Sequence, residues 1–231
     1  MHNPEFTMIE WYRTSCDMFK IMEDVEELFM SVAKELKRHK KQISRDKIVF
    51  KKIHMKDLWK EILDIDLDEY LNREKMYELC VEKKYNVEES ESYEELFYRI
   101  FLNEVEPRLV QMGGVIIHHC PAQMADLSKL SDEDPRYAER FEVYVDGTEI
   151  ANAFSELTDG EEQLKRLKEE QKERKRLGRE VYDIDMEFIE ALDQMPKSAG
   201  IALGVDRMVQ VLLGCKNVDD VLSLPMSKIF K

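Results

Sequence analysis

The segment 139–148 constrains the fold of this chain more than any other stretch of its sequence. Up to Asp146 its apolar and polar residues alternate, as they do in a strand with one face buried. Asp146-Gly147 is a dipeptide typical of tight hairpin turns, and a second strand is predicted from Thr148. The pattern therefore predicts an antiparallel β-hairpin.

Two carboxylates are expected to meet on this hairpin. Glu142 and Glu149 lie on neighbouring predicted strands and can share one face. Close carboxylates repel each other, and their oxygens suit a magnesium ion that bridges phosphates. For this pair taken alone, a polar, solvent-facing side of the hairpin is the commoner case.

A second informative stretch, Gly200-Ile-Ala-Leu-Gly-Val-Asp-Arg207, runs into the apolar helix predicted over 208–213. Its small residues allow a flat ligand to lie close to the backbone. Arg207 would begin the helix, where its guanidinium can bind a phosphate through two hydrogen bonds. A core strand that contains glycine and packs on a helix explains the same eight residues about as well.

The remaining patterns are mainly structural. Residues 5–12 predict a strand buried on both sides, in which Glu10 needs a cationic partner unless it lies at a solvated end. Residues 15–38 predict a long amphipathic helix. The segment 40–112 is expected to be mostly helical, with a short strand at 48–50, helices near 55–63, 68–84 and 93–112, and no evident chemistry.

His118 and His119 end a predicted buried strand that begins at Val115. Adjacent residues of a regular strand point to opposite faces, so the two rings are not expected to reach one metal ion.

Composition limits the class of protein. The 231 residues are 43% hydrophobic and carry a net charge of −14, which argues against a general nucleic-acid-binding surface. Four scattered cysteines favour reduced thiols in a cytoplasmic protein. No apolar run approaches the ~20 residues of a membrane span, and the first residues do not resemble a signal peptide.

Three segments resemble class II aminoacyl-tRNA synthetases of the lysyl branch. Residues 200–207 resemble motif 3, residues 140–159 resemble the segment that precedes it, and residues 2–12 resemble the second half of motif 2. The resemblance implies an α+β fold, an antiparallel sheet with flanking helices, that is incomplete at its N-terminus. It also implies one catalytic domain over 1–231, with 40–112 as a helical insertion.

The resemblance also assigns roles. The ATP site would contain His2, Asn3, Phe6, Glu142, Glu149, Gly204 and Arg207. Among these, Phe6 would stack on the base, the two glutamates would bind Mg²⁺, and Arg207 would hold the γ-phosphate. Arg207 and Glu149 are thus the candidate catalytic residues. The amino acid pocket would contain Glu10, Tyr12, Asn152, Phe154, Glu156 and Ala202. Within it, Tyr12 and Glu156 would recognise the distal amine of the substrate.

Within the lysyl branch, the resemblance favours the ligases that attach (R)-β-lysine to a lysine of elongation factor P. Residues 9–13 look closer to these ligases than to lysyl-tRNA synthetases. Ala202 stands where synthetases typically carry glycine, and its methyl group would crowd an α-amino group. The implied reaction forms an acyl-adenylate from lysine or (R)-β-lysine and ATP.

The alternatives are a fragment of a lysyl-tRNA synthetase, with tRNA-Lys as partner, and a non-catalytic truncated paralogue. The chain lacks segments that resemble motif 1 and the first strand of motif 2. A homodimer of the family's kind is therefore expected to be weakened.

Overall fold

A computed structural model describes residues 5–39, 43 and 48–229 of the chain, and its strands form one six-stranded sheet. The spatial order is β1-β6-β5-β4-β3-β2. All neighbouring strands are antiparallel except β2 and β3, which are parallel. The strands are β1 (Met8–Thr14), β2 (Phe50–His54), β3 (Gly114–Pro121), β4 (Tyr137–Val145), β5 (Thr148–Ser155) and β6 (Ser198–Gly204).

Helices flank the sheet, so the predicted α+β class is confirmed. None of the described helices is long and apolar enough to cross a lipid bilayer. The helices are α1 (Met18–Arg38), α2 (Met55–Leu63), α3 (Arg73–Glu82), α4 (Tyr93–Ile100), α5 (Glu106–Leu109), α6 (Gly160–Arg176), α7 (Met186–Leu192), α8 (Val205–Leu213) and α9 (Met226–Ile229).

The two faces of the sheet are covered differently. Helices α1 and α8 pack on one face and bury a continuous apolar layer from all of the strands β2 to β6. On the other face, α2, α3 and α4 form a second core over β2 and β3, centred on Trp59 and Phe97, whose rings stack 5.0 Å apart. The same face continues over β4, β5, β6 and β1, where the candidate site lies.

Local sequence explains most helix boundaries. The side chain of Asp17 accepts a hydrogen bond from the backbone N–H of Phe19 and begins α1. Ser92 and Glu95 form a capping box at the start of α4. The expected helix over 93–112 is interrupted by a π-helical turn at Phe101–Val105, because Pro107 cannot donate the next hydrogen bond of the α-helical ladder.

The prediction that the first strand is buried on both sides is wrong. Strand β1 pairs only with β6 among the described residues, and nearly all of its side chains are exposed. Tyr12 is 63% exposed. The apolar alternation is real, but burial on both sides requires neighbouring elements that the described residues do not supply. Glu10 is accordingly exposed and does not need a cationic partner.

The prediction that His118 and His119 point apart is also wrong. The register of β3 shifts between His118 and Cys120, and His119 has a φ of +60°. This bulge breaks the alternation, so the two Nδ1 atoms lie 2.6 Å apart and His119 stacks on His54. Burial lowers the pKa of His118 to about 4 and that of His54 to about 3, so the cluster is neutral at physiological pH.

Candidate active site

A row of side chains crosses the uncovered part of the sheet. Glu10 lies opposite Ala202, Ala202 lies opposite Asn152, and Asn152 lies opposite Glu142. Residues directly opposite each other in antiparallel strands point to the same face. The row therefore places three residues of the predicted amino acid pocket beside one of the predicted magnesium ligands.

A β-bulge in the hairpin decides which residues of β5 join this face. Tyr144 lies opposite Glu149, and the next pair joins Val143 to Ala151. Ile150 is therefore an extra residue, and it is buried on the α1 side. Alternation resumes after the bulge, so the face of Glu149 also carries the predicted residues that follow it, Asn152, Phe154 and Glu156.

Tyr12 and Glu156 converge over Gly200. A methyl group at Gly200 would lie 2.6 Å from Cε1 of Tyr12 and 2.7 Å from Oε1 of Glu156, which is closer than real Cβ contacts. Glycine at this position thus leaves the space in which a phenol from β1 and a carboxylate from the end of β5 meet. These are the two residues to which the family resemblance assigns recognition of the distal amine.

The carboxyl group of Glu156 is held in an unusual environment. Its Oε1 atom is buried and has no hydrogen-bond partner among the described residues. Burial raises the pKa of Glu156 to about 7, and the nearby Glu156 charge raises the pKa of Tyr12. A buried carboxylate oxygen without a partner is energetically costly, and a bound ammonium group would remove that cost.

A cavity of about 390 Å³ adjoins this face, within the ~300–1,000 Å³ typical of small-molecule pockets. It is bounded by β1, β5, β6 and the first turn of α8. Phe6 lines it, although 67% of its side chain is exposed. The other predicted site residues in its wall are Glu149, Asn152, Ala202, Gly204 and Arg207. His2 and Asn3 lie outside the described residues.

Arg207 stands at the start of α8, as predicted. Its Nη1 atom donates a hydrogen bond of 2.8 Å to the backbone carbonyl of Glu149 and lies 3.7 Å from Oε2 of the same residue. The helix begins at Gly204 without a side-chain cap. A second cavity of about 480 Å³ shares Glu149 and Arg207 with the first one and adds Lys216 and Gln210. The cleft therefore continues past the guanidinium into a more polar chamber.

Glu149 is close enough to Glu142 for the charge of Glu142 to act on its carboxyl group. Burial, and then repulsion from Glu142, raises the pKa of Glu149. The pKa of Glu106, at the start of α5, is also raised, by burial first and then by repulsion from Glu142. Within the described residues no group of three or more His, Cys, Asp or Glu side chains is arranged to hold a metal ion by itself. A cation at Glu142 and Glu149 would thus need further oxygens, from water molecules or from a bound phosphate chain.

Several residues around Glu142 were missed by the sequence analysis. Arg140 donates to Oδ1 of Asn152 at 3.1 Å, and Tyr144 donates to Oε2 of Glu142 at 2.9 Å. Alternation along β4 could have found both, since each lies two residues from Glu142. Tyr98 and Glu106 could not be found in this way, because they come from a helical segment without a recognisable motif.

Comparisons with known proteins agree with this architecture. A family model described as tRNA synthetases class II (D, K and N) matches residues 1–228. The chain is 37% identical over 228 residues to the elongation factor P–(R)-β-lysine ligase of Yersinia enterocolitica, covering 98% of this chain and 67% of that protein. The ligases of the same name from Proteus mirabilis and Photorhabdus laumondii are 35% and 37% identical, over 66% and 67% of their lengths.

The chain spans about two thirds of the length of the curated relatives that it matches. The family model, in contrast, matches nearly all of the chain, including both strands of the hairpin, the strand β6 and the helix α8. The resemblance found in the sequence is thereby confirmed: this chain belongs to the class II tRNA synthetases of the D, K and N type.

Proposed function

We propose that this chain activates (R)-β-lysine with ATP and transfers it to a lysine side chain of elongation factor P. The observation that carries the proposal is the convergence of Tyr12 and Glu156 over Gly200, with a buried carboxylate oxygen lacking a partner. This arrangement suits the compact ammonium group at the end of a lysine-type side chain. The names of the relatives support the same substrate and acceptor.

The neighbouring cavity is suited to the nucleotide. Its wall combines an exposed aromatic ring, Phe6, with the small residues Ala202 and Gly204, so a flat base can lie against β6. Arg207 borders both this cavity and the polar chamber, where a phosphate chain would meet its guanidinium. Glu142 and Glu149 would hold Mg²⁺, which supplies charge neutralisation for the polyphosphate.

The proposed reaction has two steps. A carboxylate oxygen of the amino acid attacks the α-phosphorus of ATP, and the bond to the β-phosphate oxygen breaks to release pyrophosphate. The amine of the acceptor lysine then attacks the acyl carbon, and AMP leaves. The side chains of this site hold and orient the reactants, so positioning and charge stabilisation account for the rate.

Ala202 supports β-lysine over α-lysine. It lies between Glu10 and Asn152 in the row that crosses the sheet. Ala202 borders both the cavity proposed for the nucleotide and this row of residues, and we expect its methyl group to crowd an amine on the α-carbon of the substrate. An amine moved to the β-carbon lies one bond further along the substrate, so discrimination of about 1–3 kcal/mol is expected.

The test is ATP–pyrophosphate exchange by the purified chain with Mg²⁺, comparing (R)-β-lysine with L-α-lysine. Exchange that favours β-lysine supports the proposal. Exchange that favours α-lysine would assign the chain to the synthetases that charge tRNA-Lys. A folded chain that exchanges neither substrate would be a non-catalytic relative.

Arg207→Ala tests the nucleotide part of the proposal. Exchange should fall about 10²–10³-fold, as when one charge-stabilising donor is removed from an active site. The hydrogen bond to Glu149 contributes only about 1 kcal/mol to folding, so the thermal midpoint should change little. Arg176→Ala, on the distant helix α6, is the matched control. Normal exchange by Arg207→Ala would refute the phosphate role.

A further inference from the structure

We propose that Tyr144 is a positioning residue, which holds the carboxylate of Glu142 in the orientation that a divalent cation requires. The inference rests on the proposed function, because it concerns the cation site of the same reaction. The phenol itself would contact neither the substrate nor the cation.

Hydrogen bonds hold the two oxygens of Glu142 unequally. Oε2 accepts from the hydroxyl of Tyr144 at 2.9 Å. Within the described part of the chain, Oε1 has two longer contacts, of 3.5 Å each, with the hydroxyl of Tyr98 and with Nη2 of Arg140, the second of which is an ion pair. Oε2 is thus held more firmly than Oε1, whose longer contacts a cation would replace.

The strand register places Tyr144 between the two candidate ligands. It lies two residues from Glu142 on β4 and directly opposite Glu149 on β5. Repulsion between the two carboxylates would favour rotation of one of them away from the other. The bond from Tyr144 opposes this rotation while the site contains no cation.

The hydroxyl of Tyr144 is held inside the protein, where its side chain is only 3% exposed. A neutral phenol donates its single proton to a carboxylate oxygen, so the contact with Glu142 has a fixed direction. Residues that orient metal ligands in this way typically contribute about 10–100-fold to metal affinity.

The experiment is a titration of the nucleotide-free chain with Mn²⁺, with free Mn²⁺ followed by electron paramagnetic resonance. Glu142→Gln identifies the site by removing one ligand. Tyr144→Phe, which deletes one hydroxyl, should raise the dissociation constant of that site about tenfold. The Mg²⁺ concentration that gives half-maximal ATP binding, measured by calorimetry, should rise by a similar factor.

Tyr137→Phe is the matched control. Tyr137 lies on the same strand, is fully buried, and donates to a carboxylate oxygen of Asp68 at 2.6 Å, away from the site. Tyr137→Phe should lower the thermal midpoint as Tyr144→Phe does, without changing the Mn²⁺ affinity. Equal Mn²⁺ affinities of the wild type and Tyr144→Phe would overturn the inference, as would no Mn²⁺ binding that depends on Glu142. Mn²⁺ binding without ATP binding would overturn the proposed function alone.

Discussion

Glu156 couples folding and ligand binding to pH. Its pKa in the folded chain is about 7, against an ordinary value of 4.5. Between these two values the folded state retains a proton that the unfolded state has released. The stabilising contribution of this carboxyl is therefore fully present below pH 4.5 and is lost as the pH rises through 7.

Binding of an ammonium group should become stronger as the pH rises, whereas the contribution of Glu156 to stability is lost. The ligand needs the ionised carboxylate, so affinity for (R)-β-lysine should increase about tenfold between pH 6 and pH 8. Equilibrium titrations at three pH values would measure this. Glu156→Gln should bind weakly at every pH. An affinity of the wild type that is constant from pH 6 to pH 8 would contradict the assigned role.

Ala202→Gly should shift the substrate preference toward L-α-lysine by about tenfold, because it removes the methyl group that we propose crowds an amine on the α-carbon. The ratio of exchange rates for the two lysines measures the shift. Ala199→Gly introduces the same glycine into β6 on the buried α1 face, so it should lower stability and leave the ratio unchanged. An unchanged ratio in Ala202→Gly would remove the argument for β-lysine.

Elements with strong local patterns could be predicted from the sequence. The apolar stripe of α1, the bounds of α2 and the turn at Asp146-Gly147 all follow from spacing within a short segment. That the site residues of β5 share one face could be expected only from the family resemblance. Periodicity alone would place Glu149 and Asn152 on opposite faces, because it does not reveal the bulge at Ile150.

Other features of the fold and of the candidate site could not be predicted, because they depend on bulges and on tertiary packing. His119 adopts a positive φ, which histidine does more often than most residues but much less readily than glycine, so its identity alone does not predict the bulge. Tyr98 and Glu106 reach the site from the helical segment over β2 and β3, where only tertiary packing determines their positions. The parallel pairing of β2 with β3 depends on the same packing.

Gly200→Ala should weaken the binding of lysine without weakening the binding of ATP. The added methyl would displace the exposed ring of Tyr12 and the carboxylate of Glu156, so lysine affinity should fall at least about tenfold by loss of a charged hydrogen bond. ATP affinity should persist, because Gly200 does not line the cavity that we propose for the nucleotide. Binding of each ligand would be measured by calorimetry.

Gly204→Ala is the matched control for lysine binding, since its methyl would make ordinary contacts of 3.6 Å or more and leave Tyr12 and Glu156 in place. Full lysine affinity in Gly200→Ala would contradict the convergence of Tyr12 and Glu156 as the amine site.

At the scale of the molecule, β1 presents an exposed strand at one side of the sheet. Phe6, Met8 and Ile9 are each more than 40% exposed, and no strand pairs with the outer side of β1 among the described residues. Apolar strand edges of this kind template association with other chains. Self-association at micromolar concentration is therefore expected.

Ile9→Lys should reduce this association, because a charge on an edge strand opposes pairing with another chain. Ile9 does not line the cavity of about 390 Å³ that we propose for the nucleotide, so ATP binding should be retained. Sedimentation velocity over a concentration series would measure the effect. Val181→Lys is the matched control, with 44% exposure against 43% for Ile9. Equal association of both variants and the wild type would show that β1 is not the contact.

The pairing of β1 with β6 also determines when the site can form during synthesis. Met8 and Gly204 are partners across the ladder, although nearly the whole chain separates them. At ~5–20 residues per second, the second partner leaves the ribosome about 10–40 s after the first. The hairpin and its neighbours can assemble during that time, but Tyr12 meets Gly200 only after β6 has emerged. A nascent chain would therefore form the corner proposed to bind lysine only after β6 has left the ribosome.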